Sequence, residues 1–338
     1  MDCSSPGITR RRAGRGFVYL HDGERVSDPE VLDRIRSLAI PPAWEDVWIC
    51  PLPTGHIQAV GTDAAGRKQY RYHDAWRTRR DQEKFDHMLD FARALPPLRR
   101  ALAEHLAADD MGRERVLACA TRLLDVGFFR MGTEGYAEQN QSYGLATIQK
   151  RHVRLGDGQV TFDYVAKGGQ RRIQAVVDPE VYEVVEALKR RRGGGPELLA
   201  YRSGRRWTDV RSEDINAYIK ELTGEEFTAK DFRTWNATVL AAVALAVATE
   251  AKSPTARKRA IARAMKEVAH YLGNTPAVCR SSYVDPRVVD RYQAGVTIAP
   301  DLSGLGEDTA FGHLSTQGSV ERAVLELLED ADDESRVA

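Results

Sequence analysis

Four segments of the chain carry residue types that together can break and rejoin a phosphodiester. They contain, in chain order, Arg130, Lys167, Arg233 and Tyr283. Two guanidiniums can hold the non-bridging oxygens of a phosphate in its transition state through bidentate, charge-assisted hydrogen bonds. A lysine can protonate the leaving oxygen, and a tyrosine hydroxyl beside cations can act as the nucleophile. The four residues therefore predict transfer of a phosphodiester to a tyrosine without a metal ion.

Each of these residues also has an ordinary structural interpretation. A single arginine is usually a solvated surface residue, and a lysine followed by Gly168 and Gly169 is usually part of a turn. A tyrosine in a helix usually belongs to the core, and Tyr271 and Tyr292 are rivals of Tyr283 in the same part of the chain. The prediction therefore depends on the joint occurrence of the four segments in one order.

Each candidate lies within a short motif, and the motif before Tyr283 adds a fifth candidate, Asn274, nine residues upstream of it. The motifs are FRMG at 129–132, YVAKG at 164–168, KDFRT at 230–234 and GNTP at 273–276. With these motifs in this order, the chain resembles the type IB DNA topoisomerases, in particular their compact poxvirus-like and bacterial branch. The catalytic set of that family is Arg, Lys, Arg, His or Asn, and Tyr. It matches Arg130, Lys167, Arg233, Asn274 and Tyr283.

The resemblance implies an enzyme that relaxes supercoiled duplex DNA. Tyr283 would form a 3′-phosphotyrosyl bond, the downstream duplex would swivel, and the free 5′ hydroxyl would attack back and reseal the strand. Because the adduct keeps the energy of the broken bond, neither ATP nor a metal ion nor any other cofactor is expected. A single chain is expected to hold the DNA as a C-shaped clamp.

Asn274 departs from the residue that many members of the family have at this position, which is histidine. Asparagine is always neutral, so it can donate a hydrogen bond to a phosphate but cannot transfer a proton. We therefore assign general acid catalysis to Lys167, assisted by Arg130, and an orienting, transition-state-stabilising role to Asn274. The sequence identifies no base for the proton of Tyr283.

Two N-terminal segments, IPPAWEDVWI at 40–49 and GRKQYRYH at 66–73, also look like the DNA-clamping domain of that branch. Basic, amide and aromatic side chains alternate in the second segment, where cations can bind phosphates and glutamine can pair with adenine. The ordinary interpretation is an exposed strand with long polar side chains. The resemblance, which covers roughly residues 15–295, favours DNA contacts. The expected DNA-binding residues are Arg67, Gln69, Tyr70, Tyr72 and Lys230, and the basic segment 257–263 is a weaker candidate.

Two other functions fit part of the pattern. A tyrosine recombinase shares the chemistry, but recombinases usually have H-x-x-R where this chain has Lys230-x-x-Arg233, and they lack the segments at 40–49 and 66–73. A non-catalytic DNA-binding protein on the same fold is the second alternative. The intact set of two arginines, one lysine and one tyrosine argues against it.

The elements around these motifs indicate an α+β fold with two domains. We expect a β-rich, antiparallel N-terminal domain at 16–76, a mainly α-helical catalytic domain with a β-hairpin at 77–300, and a hinge at 74–81. A mobile basic arm at 1–15 and an acidic tail at 301–338 with a short helix flank them. The periodicity predicts strands at 17–20, 47–50, 56–60, 160–164 and 172–177, and helices at 29–38, 81–94, 97–108, 113–127, 179–192, 212–221, 230–251, 254 onward and 320–330.

The 338 residues have a formal net charge of zero, but the charge is unevenly distributed. From Asp301 onward there are ten acidic and two basic residues, which leaves 47 basic and 39 acidic residues in 1–300. A basic body favours a polyanionic partner, although charge runs are also common on solvated faces.

Several classes of protein are not indicated. The four cysteines form no CxxC pair, and no cluster has metal-ligand spacing, so we expect a reducing compartment and no metal site. The longest apolar run, 239–248, is far shorter than the ~20 residues of a membrane-spanning helix. The N-terminal residues lack the apolar stretch of a secretory signal. We expect a cytoplasmic, nucleoid-associated protein.

Overall fold

The computed structural model describes residues 3–248, 251, 253–304 and 316–337, and it divides the chain into two compact units, residues 1–86 and 87–338. The first is dominated by an antiparallel sheet and the second by helices, so the predicted α+β class is confirmed. The division lies ten residues beyond the expected boundary, inside helix α2 (Asp74–Leu106). The segment expected to be a hinge, 74–81, forms the first turns of that helix.

The N-terminal unit is a six-stranded antiparallel sheet with the order β3-β2-β1-β4-β5-β6. Helix α1 (Pro29–Ser37) begins after Asp28, whose carboxylate accepts a hydrogen bond from the Glu30 amide, and its buried Ile35 joins the core of the sheet. The strands are β1 (Ile8–Ala13), β2 (Gly16–His21), β3 (Glu24–Arg25), β4 (Glu45–Ile49), β5 (Ile57–Thr62) and β6 (Lys68–Tyr72).

The expected mobile arm at residues 1–15 is wrong for residues 8–13, which form β1 between β2 and β4. The side chain of Ile8 is buried in the core. Arg10 donates to the carbonyl oxygens of Ile40 (3.3 Å), Pro41 (3.1 Å) and Trp44 (2.6 Å), so a main-chain loop binds this cation. Local sequence could not reveal those distant acceptors. Met1 and Asp2 lie outside the described residues.

The prediction of two separate helices at 81–94 and 97–108 is wrong, because the structure has the single helix α2 of 33 residues. Pro96 and Pro97 lie inside it. A proline inside a helix removes a hydrogen bond and usually kinks or ends the helix. Here the apolar face continues through the prolines, since Leu95 and Leu98 are both buried. That burial favours a continuous helix.

The second unit, residues 87–338, contains all four motifs and is named the catalytic unit after the expected domain. It combines helices with a three-stranded sheet, to which the predicted hairpin contributes two strands, and with a small separate hairpin. Its helices are α3 (Arg113–Gly127), α4 (Glu134–Asn140), α5 (Pro179–Arg190), α6 (Ser212–Thr223), α7 (Ala229–Ala246), α8 (Pro254–Leu272), α9 (Pro276–Ser282), α10 (Pro286–Ala294) and α11 (Ser319–Val337). Its strands are β7 (Val153–Gly156), β8 (Gln159–Ala166), β9 (Gln170–Val176), β10 (Ala200–Ser203) and β11 (Arg206–Asp209).

Helix α3 is the central element of this unit, because every residue from Arg115 to Gly127 is buried. Helices α5, α6 and α7 pack around it. The C-terminal end of α3 leads directly into the motif that contains Arg130. Helix α7, which carries Arg233, packs against both α3 and α8.

The prediction of a separate acidic tail at 301–338 is also wrong, because α11 belongs to the catalytic unit. Its residues Val320, Val324 and Leu328 are buried. The expected short helix at 320–330 is longer, although 305–315 and 338 lie outside the described residues. Within the described part of the chain, no helix is both long and apolar enough to cross a membrane.

Candidate active site

Three arginines from different elements converge on the C-terminal end of α8. They donate to the main-chain carbonyl oxygens of four successive residues: Arg172 to those of 270 (2.9 Å) and 271 (2.6 Å), Arg233 to that of 272 (2.9 Å), and Arg130 to that of 273 (2.7 Å). The last carbonyls of a helix lack partners within the helix and form the negative end of its dipole. The guanidiniums satisfy these acceptors. Among the described residues none of the three forms an ion pair with a carboxylate, so their charge is available to an anion.

Arg233 is the most enclosed of the three, with 4% of its surface exposed. Its second nitrogen donates to the carbonyl oxygen of Phe128 (2.6 Å). Phe128 ends α3 in the left-handed conformation, with φ +56°. Burial lowers the pKa of Arg233, and the positive charges of Arg130 and Arg172 act in the same direction. A phosphate would relieve this unfavourable burial of charge.

The motif that holds Arg130 is fixed against the segment at 144–147. The amides of Leu145 and Ala146 donate to the carbonyl oxygens of Arg130 (2.8 Å) and Met131 (2.8 Å). Gly132, at φ +73°, lies so close to this segment that an added Cβ would be 2.7 Å from the Cα of Gly144. A side chain at position 132 is therefore excluded both by conformation and by space.

Asn274 lies beside Arg130, directly after α8 and its glycine cap. Its side-chain oxygen accepts a hydrogen bond from Arg130, and its main-chain amide donates to the carbonyl oxygen of Ala269 (3.0 Å). The side-chain nitrogen of Asn274 is buried and has no hydrogen-bond partner in the part of the chain that the structure describes. An unpaired buried donor costs free energy unless a ligand supplies an acceptor.

Tyr283 follows α9, and the centre of its half-buried ring is 5.3 Å from the guanidinium carbon of Arg233. Its main chain is held on both sides. Its amide donates to the carbonyl oxygen of Cys279 (3.0 Å), and its carbonyl oxygen lies 3.3 Å from the hydroxyl of Thr238 on α7. The helix that carries the arginine thus also fixes the tyrosine.

The rival tyrosines occupy different surroundings. The hydroxyl of Tyr292 donates to the carbonyl oxygen of Ala248 (3.1 Å), and its ring is buried. Tyr271 has 46% of its surface exposed, and its ring lies 5.8 Å from that of Phe128. Of the three tyrosines, Tyr283 is the one whose ring lies against Arg233.

Lys167 occupies the exposed turn of the predicted hairpin, where Gly168 and Gly169 both have positive φ. The base of this hairpin is firmly packed: the hydroxyl of Tyr164 donates to Gln174 (2.7 Å), and burial raises the pKa of Tyr164 to about 12. The structure thus brings Arg130, Arg233, Asn274 and Tyr283 together. It places Lys167 at the tip of the hairpin whose strand β9 carries Arg172.

Sequence reasoning missed Arg172 and the network behind the arginines. Glu321 of α11 accepts hydrogen bonds from Arg99 (2.6 and 2.9 Å) and from the indole of Trp235 on α7 (2.9 Å). Arg99 also binds Asp125 of α3 through both carboxylate oxygens (2.8 and 2.9 Å). Burial by itself would lower the pKa of Arg99, but the two carboxylates raise it. One sequence signal was available for Arg172, which pairs with the motif residue Tyr164 in the hairpin register.

The predicted DNA-binding residues of the N-terminal unit lie on or beside the edge strand β6. Asp63 binds the side chains of Arg67 (2.9 Å) and Gln69 (2.9 Å), and the hydrogen bonds from Arg67 lower the pKa of Asp63 to about 2. The rings of Tyr70 and Tyr72 stack at 6.0 Å. Because alternate residues of a strand face opposite sides, Gln69 and Tyr70 point to different faces of the sheet.

In the catalytic unit, Lys230 is exposed on the first turn of α7. The basic segment 257–263 divides into two kinds of residue. Arg257 donates to the carbonyl oxygen of Gln293 (2.6 Å) and therefore has a structural contact. Lys258, Arg259 and Arg263 are exposed on α8. No group of three or more His, Cys, Asp or Glu residues suited to a metal ion occurs among the residues that the structure describes.

Comparison with known proteins relates both units to one enzyme family. The family model of the eukaryotic DNA topoisomerase I catalytic core matches residues 73–299, and that of the bacterial DNA topoisomerase IB N-terminal domain matches residues 16–63. The DNA topoisomerase 1B of Acanthamoeba polyphaga mimivirus is 34% identical over 85% of this chain and 88% of the viral protein. The chain belongs to the type IB DNA topoisomerases.

More distant relatives extend the same family. The DNA topoisomerase 1B of Vaccinia virus (strain Copenhagen) is 19% identical over 68% of this topoisomerase and 71% of its own length. The DNA topoisomerase 1 alpha of Arabidopsis thaliana is 25% identical over 56% of this topoisomerase, but the match covers 20% of the plant protein. The topoisomerase is therefore an isomerase of the DNA topoisomerase I type, and its substrate is DNA.

Proposed function

We propose that this topoisomerase relaxes supercoiled duplex DNA through a transient single-strand break, with Tyr283 as the nucleophile and with no need for ATP or a metal ion. The observation that carries the proposal is the convergence of Arg130, Arg233 and Tyr283 at the C-terminal end of α8. Two guanidiniums that have no carboxylate partner among the described residues, beside a half-buried tyrosine, suit a phosphodiester that gains negative charge in its transition state.

In the proposed cleavage step, the hydroxyl oxygen of Tyr283 attacks the phosphorus and the bond from phosphorus to the 5′ oxygen breaks. The phenolic proton passes to water, and Lys167 gives a proton to the 5′ oxygen. The products are a 3′-phosphotyrosyl bond and a free 5′ hydroxyl. Resealing is the reverse reaction, so the number of phosphoester bonds is unchanged and no external energy source is needed.

Arg130, Arg233 and Asn274 would stabilise the negative charge on the non-bridging oxygens during this step. The buried side-chain nitrogen of Asn274 supports its role as a neutral donor, because a phosphate oxygen would satisfy it. The side-chain oxygen is already occupied by Arg130. We infer that Asn274 both orients Arg130 and contributes one hydrogen bond of its own.

For DNA binding we propose that one chain acts as a clamp on the duplex, in the cytoplasm and on the DNA of the nucleoid. Arg67, Gln69, Tyr70 and Tyr72 of the N-terminal unit and Lys230 of the catalytic unit would contact the DNA. Cations that neutralise phosphates release counterions, so binding should weaken steeply as salt is raised.

The test is relaxation of a supercoiled plasmid by the purified chain in EDTA and without ATP, together with trapping of the covalent adduct. Tyr283→Phe should abolish both relaxation and adduct but keep DNA binding. The matched control is Tyr271→Phe, which removes a neighbouring exposed tyrosine hydroxyl and should leave both intact. An adduct that persists in Tyr283→Phe refutes this nucleophile, and strand exchange between paired sites without relaxation would indicate a recombinase.

A further inference from the structure

Arg172 joins two parts of the site that are almost a hundred residues apart in sequence. It lies on β9, five residues after Lys167, and its two terminal nitrogens donate to the carbonyl oxygens of His270 and Tyr271 at the end of α8. The same end of α8 receives Arg130 and Arg233. Arg172 thus ties the hairpin that carries Lys167 to the element on which the two other arginines are anchored.

The glycine that caps α8 leaves the space that this contact requires. Gly273 has φ +62°, and a Cβ added there would lie 3.0 Å from a terminal nitrogen of Arg172 and 3.1 Å from its guanidinium carbon. Real Cβ atoms rarely approach other atoms so closely. The absence of a side chain at Gly273 therefore allows the guanidinium to lie close to the turn that leads to Asn274.

The contact is electrostatically unfavourable, because it places a third cation beside Arg130 and Arg233. Burial and the nearby charge of Arg130 lower the pKa of Arg172. A neutral side chain could join β9 to α8 without placing a third cation beside the other two. An arginine here makes two hydrogen bonds through its two terminal nitrogens, which restrict the orientation of the hairpin more than one bond would.

We propose that Arg172 is a positioning residue that fixes the Lys167 hairpin in the orientation needed to protonate the leaving 5′ oxygen. The inference rests on the proposed function, in which Lys167 is the general acid. Proton transfer requires hydrogen-bond reach between donor and acceptor, and a displacement of 1 Å can cost about 10²-fold in rate. Lys167 is on an exposed turn, so its position depends on what anchors the hairpin below it.

The experiment compares single-turnover cleavage by Arg172→Ala on two duplexes, one with oxygen and one with sulfur as the bridging 5′ atom. A thiolate leaves without a proton because thiols are much stronger acids than alcohols. Arg172→Ala should cleave the oxygen substrate about 10²-fold more slowly than the wild type. It should recover most of that loss on the sulfur substrate, as should Lys167→Ala.

Matched variants separate positioning from general damage. Arg171→Ala removes the neighbouring arginine, which instead pairs with Asp163 (2.7 Å) on the exposed side of the hairpin, and should cleave both substrates at nearly the wild-type rate. Arg172→Lys keeps the charge but cannot make both hydrogen bonds in the same geometry, and should recover only part of the rate. Asn274→Ala removes a donor to the non-bridging oxygens and should keep most of its defect on the sulfur substrate.

The outcomes distinguish failure of this inference from failure of the proposed function. If Lys167→Ala is relieved by sulfur and Arg172→Ala is not, Arg172 does not position the general acid, although the proposed chemistry stands. If Arg172→Ala cleaves the oxygen substrate at the wild-type rate, the inference is also overturned. If neither variant is relieved, Lys167 is not the general acid, and both assignments fall.

Discussion

Arg130 donates a hydrogen bond to the side-chain oxygen of Asn274, and this fixes which end of the amide remains a donor. The nitrogen of that amide is buried, and no described residue accepts a hydrogen bond from it. A histidine at this position could carry charge, whereas an asparagine offers a neutral donor whose orientation is set by the arginine. The pair therefore acts as a unit, in which one side chain aligns the other.

This relationship predicts opposite requirements at the two ends of the Asn274 amide. Asn274→Ala should slow single-turnover cleavage by about 10²-fold without abolishing it, as expected for the loss of one preorganised donor. Asn274→Asp keeps the acceptor for Arg130 but replaces the donor with a negative charge beside the phosphate. It should be slower than the alanine variant. A faster aspartate variant would show that the acceptor end is the important one.

Gly273 provides a second prediction, which concerns stability and rate together. Gly273→Ala forces a side chain into the left-handed region, which costs about 1 kcal/mol in the free energy of unfolding, and it also displaces Arg172. Gly224→Ala is the matched control, because Gly224 caps α6 at φ +71° with no atom within 4 Å of an added Cβ. Both should lower the urea midpoint slightly, but only Gly273→Ala should slow cleavage. Equal rates in the two variants would contradict the contact with Arg172.

The third prediction tests whether α11 supports the catalytic unit. The side chains of Glu321 and Arg99 are only 12% and 13% exposed, so Glu321→Ala leaves a largely buried guanidinium with one carboxylate fewer. We expect a loss of about 3 kcal/mol in the free energy of unfolding in urea. Glu329→Ala breaks an exposed ion pair of the same helix, with Arg93, and should cost at most about 1 kcal/mol. Similar losses in both variants would mean that α11 contributes little through Glu321.

The fourth prediction concerns the charge of Asp63 in the N-terminal unit. Its pKa is lowered to about 2. The carboxylate therefore stays ionised at pH 4, near the ordinary pKa of an aspartate, and becomes protonated only as the pH falls through about 2. The link to Arg67 and Gln69 is therefore intact at any physiological pH. Asp63→Asn should increase DNA affinity at low salt and steepen the salt dependence by up to about one unit of slope, since one cation is released from its partner.

The control for that variant is Asp22→Asn, which changes the net charge equally at an exposed turn of the same unit. It should alter the salt slope much less. Affinity would be measured by titration of labelled duplex at several salt concentrations. An equal change in both variants would mean that net charge matters and that Arg67 has no special contact with DNA.

Local sequence predicted the elements whose signals are local. The limits of α3, the hairpin around Lys167 and the serine cap of α8 follow from periodicity, turn glycines and the Ser253-Pro254 pair, and the structure has all three. The predictions were wrong for β1, for α2 and for the C-terminal segment that contains α11. In β1, Arg10 donates to carbonyl oxygens about thirty residues away. In α2, packing outweighs the preference of proline to end a helix.

In the candidate site, too, local signals were sufficient for some residues and contacts between distant elements determined the others. The motifs identified Arg130, Arg233, Asn274 and Tyr283, and the fold brings these residues together, while their catalytic roles remain predictions. Arg172 and Glu321 lie outside these motifs, and their hydrogen-bond partners lie on elements far away in sequence. Which arginine contacts a helix end is decided by packing, and no local pattern encodes it.

The main-chain carbonyl oxygens that bind the three arginines at the end of α8 also affect how this site can change during evolution. A main-chain oxygen is present whichever amino acid occupies a position, so no substitution at 270, 271 or 272 deletes an acceptor. Carboxylate anchors could be lost by a single mutation, and while present they would cancel the charge that a phosphate needs. The side chains of His270 and Tyr271, both exposed, are thus free to diverge between relatives while the arginines keep their places. The constraint falls instead on Gly273, where the backbone conformation itself must be preserved.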